Sequence, residues 1–533
     1  MITSKSAITK VQAAVIAIIL IIAAITVVYY VTLPSPSEKT GGTLVITVGV
    51  EPTPNLDPAF YMTGIAADTV HYTVFETLVI YDYDMSIKPY LAESFTQIDD
   101  LTWEFKLREG VKFHDGTSCN ATAVKLHFDR LITLSSPRQI SVAMIDSVEV
   151  VDEYTVKMHL KYAYIDFLHE MASETGVASP TAVEKWGEDF GVHPVGTGPF
   201  KFVEWIHGDH ITLEAFEDHW SGRPHLDKVI IKLFPEASVR LMQLETGEGY
   251  LTDIECEQTG IAEAMSNVEL HVGAPVTRRM IVLNQYPQGP EALKDVRVRQ
   301  AINYAINRKE IVDTLYQGYG VVGIGPLYPG VNQYNPDLQG YPDEGNLTKA
   351  RQLLEEAGYS DGLKLKILGR AGTIEEDECV IIKDQLAKVG IEVEIEILEF
   401  SVFAEKLVVT REFDISAADW SGSGPTALGV MYEFYLSTET DPWHWNLCGV
   451  NDTELDDLLS QLRVESDPDT FQDLCDQIQQ IIIENAYDVT VLYPDKIHAT
   501  NKAVQDYKVH PHTWYGFLLY AEPLGTNVWL EQS

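Results

Sequence analysis

The sequence predicts an open α/β architecture spread over a large two-lobed body, and three observations carry that expectation. The chain has 533 residues with 45% hydrophobic and 22% charged, a globular balance, and at roughly 150 residues per domain it needs more than one core. Its second half alternates strand-like and helix-like segments, the pattern of a sheet with right-handed crossovers. Two loops that directly follow strands lie more than 350 residues apart, as the two walls of a shared small-molecule cleft would.

The elements follow in chain order. Val11 to Leu33 are 23 consecutive residues without a charge, roughly 35 Å as a helix, which is enough to cross a bilayer. Lys5 and Lys10 precede the run and Tyr29 and Tyr30 sit near its far end, so the positive-inside rule puts residues 1–10 in the cytoplasm and the body outside. The run exceeds a usual signal core and no A-x-A-like site follows it, which favours an uncleaved anchor over a cleaved signal. Residues 34–41, with Pro34 and Pro36, read as a tether.

LVITVGV (Leu44 to Val50) is a strand ending in a Pro- and Asn-containing loop, and a helix is expected from about Thr63 to Val79. Three hairpins follow. The first turns at Glu109-Gly110 between Trp103–Leu107 and Val111–Phe113, the second at Asp152-Glu153, and the third at Gly208-Asp209. From Asp295, a candidate N-cap, apolar residues at three- and four-residue steps predict one helix running to Gly318. Then come a helix about 348–357, the strand LKLKIL, a helix about 380–389, the strand Ile391 to Leu398, a helix about 402–409 and the strand FDISAAD.

Charge and cysteines set bounds on function. With 38 Lys+Arg against 79 Asp+Glu the net charge is −41, which repels nucleic acid, so no nucleic-acid partner is expected. The 5 cysteines are scattered without C-x-x-C or zinc spacing. Asn120, Asn346 and Asn451 each begin an N-x-S/T sequon.

Catalytic motifs fail on context. Gly358 to Gly362 matches G-x-S-x-G but follows a helix and precedes a strand, the reverse of a nucleophile elbow. Gly318 to Gly323 matches G-x-G-x-x-G with no strand before it, and there is no Walker A sequence or H-E-x-x-H. His510 and His512 flank Pro511 and read as surface residues rather than ligands. No enzyme activity, cofactor or metal site is therefore expected.

LREGVKFHDG (Leu107 to Gly116) resembles a signature of the extracellular solute-binding proteins of ABC importers, in the oligopeptide, dipeptide and nickel class. LDPAFY, ETLVIYDYDMSIKPYLAESF, GTGPFKFVEW, FEDHWSGRPHLDKVIIKLFPEASVRLMQLETGE, LKDVRVRQAINYAINRKEIVDTLYQG and KARQLLEEAGYSDG agree in the same order. The residues themselves read as framework: Gly110 and Gly116 serve turns and His114 is a hydrogen-bonded side chain.

The resemblance implies a periplasmic-binding-protein-like fold of the class II, cluster C type with an extra inserted domain. It divides the chain into lobe I (42–62, 198–287 and 508–533), the inserted domain (63–197) and lobe II (288–507). It implies a monomer that closes on an oligopeptide or other small solute by hinge motion and delivers it to an ABC permease with separate ATPase subunits.

Candidate ligand residues come from the two strand-end loops and their surroundings. They are Tyr61 and Thr63; Trp420, Ser421 and Ser423; Trp443, His444 and Trp445, whose aromatic faces suit peptides or sugar rings; and Arg278 and Arg279, which could clamp a carboxylate. Peptide-binding relatives carry an acidic residue shortly after the Trp equivalent to Trp420, whereas here Ser421-Gly422-Ser423-Gly424 follows. That departure keeps an oligosaccharide or another small solute open as the ligand, with a nickel complex disfavoured because His444 stands alone, and an anchored ligand sensor is the alternative of a different class.

Overall fold

The computed structural model describes residues 41–52, 55–60, 64–173, 175–422, 424–438, 445–512 and 516–531. The expected anchor at 11–33 lies outside them, and among the described residues no helix is long and apolar enough to cross a membrane.

A seven-stranded sheet builds one lobe, in the order Val268–Gly273, Lys496–Asn501, Leu251–Asp253, Thr43–Val48, Lys228–Leu233, His210–Ala215, Phe200–Ile206. Thr43–Val48 is its central strand, parallel to both neighbours, and buries Leu44, Ile46 and Val48. A six-stranded sheet builds the other lobe, in the order Gly320–Val322, Asp488–Pro494, Arg278–Leu283, Ile415–Trp420, Leu363–Arg370, Ile391–Leu398. The last three strands are the parallel set expected from the strand–helix alternation. The second and third expected hairpins form, as Ile145–Asp152 with Thr155–Leu160 and Phe200–Ile206 with His210–Ala215.

The chain passes between the two large sheets twice, through residues 274–277 and through Asp495. These crossings fall before the expected boundaries at 287 and 507. Val268–Gly273 pairs with Lys496–Asn501 in one sheet, and Arg278–Leu283 pairs with Asp488–Pro494 in the other. Pro275, which cannot continue either ladder, marks the first crossing in the sequence.

Two further differences have local causes. The segment expected as one helix from Asp295 to Gly318 is two, Val296–Ala305 and Arg308–Thr314. Asp295 caps the first by accepting from the Arg297 amide, and Asn307 caps the second by accepting from the Glu310 amide. Gln385 holds the break open, accepting from the Asn307 amide at 2.9 Å and donating to its carbonyl at 3.1 Å. The expected hairpin at Glu109-Gly110 does not form, because Thr102–Leu107 is already flanked by Ala92–Asp99 and Thr155–Leu160. Val111 and Phe113 enter the core from a loop whose turn Asp115 tightens by accepting from the amide and hydroxyl of Thr117.

The strings that carried the resemblance converge on one buried carboxylate. Glu76 accepts from Thr197 Oγ1 at 2.7 Å, Trp220 Nε1 at 3.0 Å and His219 Nε2 at 3.0 Å. His114 joins the same node: its Nε2 meets the Gly198 carbonyl at 2.8 Å and its amide donates to the Gly196 carbonyl at 2.9 Å. Gly196 and Gly198 are required there, since a Cβ on either would lie 2.1 Å or 2.4 Å from the carbonyl oxygens of Val74 and Thr73. The motif thus fastens the inserted segment, with its own four-stranded sheet of Ala92–Asp99, Thr102–Leu107, Thr155–Leu160 and Ile145–Asp152, to the first lobe. His510 and His512 are buried against the rings of Tyr83 and Tyr81 rather than on the surface, with His510 Nε2 bonded to the Tyr81 carbonyl. All 5 cysteines are buried and free of disulfides.

Candidate ligand cleft

The crossings fix which sheet edges face each other. The crossing at 274–277 leads directly into Arg278, so the end of the six-stranded sheet holding Arg278 abuts the first lobe. Ile415–Trp420 runs antiparallel to Arg278–Leu283 with Arg278 opposite Trp420 and Arg279 opposite Asp419, which brings Trp420 to the same edge. The parallel strand Leu363–Arg370 adds Arg370 there. The facing edge of the first lobe carries Gly49 to Glu51 after Val48, Asp253 to Glu255 after the strand Leu251–Asp253, and Lys496 at the start of its strand.

Both arginines are committed inside the second lobe. Arg278 is fully buried, donating to Asp488 Oδ2 at 3.1 Å and Thr490 Oγ1 at 3.2 Å, and lies over the Phe434 ring at 5.0 Å. Burial alone would lower its pKa, but the Asp488 carboxylate outweighs it and holds it above the usual value. Arg279 is surrounded by three carboxylates: Glu378 at 2.5 Å, Glu375 at 3.3 Å and Asp419 at 3.4 Å. Tyr316 donates to Glu378 at 2.7 Å and completes the site. The expected carboxylate clamp meets two obstacles in this geometry: Arg279 is ringed by carboxylates, and Arg278, though its Nε and Nη2 have no hydrogen-bond partner among the described residues, is fully buried.

Trp420 is closed off by its own lobe. Its Nε1 donates to the Val430 carbonyl at 3.1 Å, and its ring packs on Phe434 at 5.4 Å and Trp445 at 5.0 Å. Trp445 is the open ring of the pair, 43% exposed against 8% for Trp420. The Ser421 carbonyl accepts from Tyr328 Oη at 2.9 Å. Tyr61, Thr63, Ser423, Trp443 and His444 lie outside the described residues.

The sequence reading missed the charged floor of the first lobe. Asp253 Oδ1 is buried without a hydrogen-bond partner among the described residues; burial pushes the Asp253 pKa up, against the pull of Arg240 and Lys496. Protein around Glu255 raises its pKa too, reinforced by Asp253 and opposed by Arg279 from the opposite lobe. Lys496, donating to the His512 carbonyl at 3.2 Å, is lowered by burial to about 8, with Asp68 and Asp253 working against the shift. The signal was available in LTDIECEQ, where acidic residues directly follow a short strand, but the segment falls between the strings that carry the resemblance, past Glu248 and before Leu293, and drew no reading. Arg240, whose Nη1 donates to the carbonyls of Phe234 and Pro235, braces the same edge.

Comparison with known proteins agrees with this arrangement. Residues 86–442 match the profile of bacterial extracellular solute-binding proteins, family 5 Middle. The glutathione-binding protein GsiB of Shigella flexneri is 30% identical over 485 residues, covering 89% of this chain and 93% of that protein. Among solved structures, the Helicobacter pylori ABC transporter-associated periplasmic binding protein DppA, in complex with the peptide STSA, is 26% identical with a TM-score of 0.79, covering 93% of this chain and 99% of its own. The Bacillus subtilis oligopeptide-binding protein AppA, in complex with a nonapeptide, is 28% identical with a TM-score of 0.76, covering 92% and 99%. The match over more than half its length, together with two sheets joined by two crossings, places the chain among the family 5 extracellular solute-binding proteins of ABC importers, a family of binding proteins and not of enzymes.

Proposed function

We propose that the chain is the substrate-binding subunit of an ABC importer, held outside the cell by residues 11–33, that captures a peptide between its lobes and delivers it to a permease and its ATPase subunits. The observation that carries this reading is the pair of chain crossings, at 274–277 and Asp495, between two sheets whose charged and aromatic strand ends face each other. The moving units are then residues 41–273 with 496–531, including the inserted domain, and residues 278–494. The relatives named above bind glutathione, STSA and a nonapeptide, which favours a peptide as the solute.

In this reading the ammonium end of the peptide is met by Asp253 and Glu255, since no carboxylate follows Trp420, and Trp445 supplies an apolar face. Mass spectrometry of solute co-purified with the protein should detect peptides. Thermal shift against peptides, oligosaccharides and nickel chelates should show stabilisation by peptides, about 2.7 kcal/mol at a hundredfold excess over Kd. Sugars stabilising where peptides do not would replace the ligand assignment. Asp253→Asn should weaken binding of a free-amine peptide by roughly tenfold to a hundredfold, the worth of a charge-assisted hydrogen bond, and leave its N-acetylated form unaffected. Isothermal titration of the matched pair checks this, and equal losses for both forms would remove Asp253 from ammonium recognition.

A further inference from the structure

A short segment, Tyr162 to Asp166, brings the inserted domain against the second lobe. Tyr162 and Tyr164 pack on the core of the inserted domain, while Tyr164 and Ile165 also pack on the core of the second lobe. Arg463, in the last turn of the helix Thr453–Val464, joins the two sides: it donates to Tyr162 Oη at 2.9 Å and to Tyr432 Oη at 3.0 Å. Its guanidinium lies 4.9 Å and 5.3 Å from the centres of those two rings. Asp166 is buried at the seam, accepting from the Thr426 hydroxyl and the Leu428 amide. Its second oxygen, Oδ2, has no hydrogen-bond partner among the described residues.

The partners on the second lobe are placed to matter. Thr426, Leu428 and Tyr432 all lie in the chain between Trp420 and Trp445, whose rings pack on each other at 5.0 Å. We propose that this seam is a closure latch that forms with Asp166 protonated and loosens when Asp166 ionises, so that acid favours the closed clamshell. Opening at the two crossings separates Asp166 from Thr426 and Leu428 and returns the carboxyl to water.

The electrostatics agree with the geometry. Burial raises the Asp166 pKa to about 7 despite the two hydrogen bonds it accepts. From its own segment the Tyr164 phenol and Glu170 face the seam; from the second lobe Glu433 faces Tyr164, and the Cys475 thiol, itself beside Asp476, faces Asp166. No cation is among the groups that act on Asp166, and the Arg463 guanidinium bonds the two tyrosines instead. A carboxyl raised in the closed state and ordinary in the open one, near 3.9, takes up a proton on closing. The ratio of closed to open therefore falls by up to about tenfold per pH unit as pH rises from the ordinary carboxylate range to about 7, and levels off above it.

Small-angle X-ray scattering of the ligand-free protein at pH 5.5, 7 and 8.5, about 1.5 pH units either side of the Asp166 value of about 7, reads the latch. The radius of gyration should be smallest at the acidic end for the natural protein. In Asp166→Asn it should stay small at every pH, because the amide keeps an acceptor for Leu428 without a titrating proton. Tyr162→Phe, which removes only the hydrogen bond to Arg463, should shift the whole curve toward the open form while keeping its pH response. A natural protein whose radius does not change with pH, or an Asp166→Asn protein that keeps the full response, overturns the proposal.

Discussion

Replacing Glu76 by Ala should cost about 3–5 kcal/mol of folding stability, the range seen when one partner of a buried charged network is removed. The carboxylate is fully buried and accepts from Thr197, His219 and Trp220, so its loss leaves three donors from two other segments without an acceptor in a site water does not reach. Glu76→Gln keeps one oxygen and should lose roughly half as much. Urea midpoints for the two variants check the ordering. An alanine variant within about 1 kcal/mol of the natural protein would show that the node is ornamental to stability.

Acidification should destabilise the protein well before carboxylates of ordinary pKa titrate. Burial depresses His71, His127 and His510 to about 3, and His114 and His169 to about 4, in the folded state. An unfolded histidine titrates near 6.5, so each of these groups contributes stability that is complete above that value and drains away as pH falls toward its folded pKa. By pH 5 the loss is at most about 2 kcal/mol per ring, and several rings together approach the whole stability of an ordinary fold. Asp166, raised by burial to about 7, pushes the other way over the same interval and moderates the fall, and the raised Asp253 and Glu255 act in the same sense. Urea midpoints measured from pH 7.5 down to 5 (about 1.5 units below the free imidazole value) should drop steeply below 6.5. A flat profile would mean that these rings are protonated in place without penalty.

The fold was legible where local chemistry and tertiary pairing agree. The parallel strands Leu363–Arg370, Ile391–Leu398 and Ile415–Trp420 are bounded by glycines and helices that announce them. Val111 and Phe113 misled because alternation marks burial on one face and does not name a partner; the ladder beside Thr102–Leu107 was taken by Ala92–Asp99 and Thr155–Leu160. The split after Ala305 was invisible because it depends on Gln385, which lies 78 residues away from Asn307.

The cleft was legible at its strand ends but not in its charges. Arg278 and Arg279 look available in a string, yet their partners Asp488, Glu375 and Glu378 come from distant segments that only the sheet brings together. Asp253 and Glu255 were overlooked for the opposite reason: they gain significance only once the fold brings Glu255 within reach of Arg279 from the other lobe.

The buried, unpaired cysteines carry a practical corollary. Their thiols are pushed up by burial at Cys119, Cys256, Cys379, Cys448 and Cys475, so none offers a thiolate near neutral pH. Reductants and mild oxidants should leave the fold indifferent to redox poise, and a single cysteine engineered onto the rim of either lobe would be the one handle a maleimide dye could find.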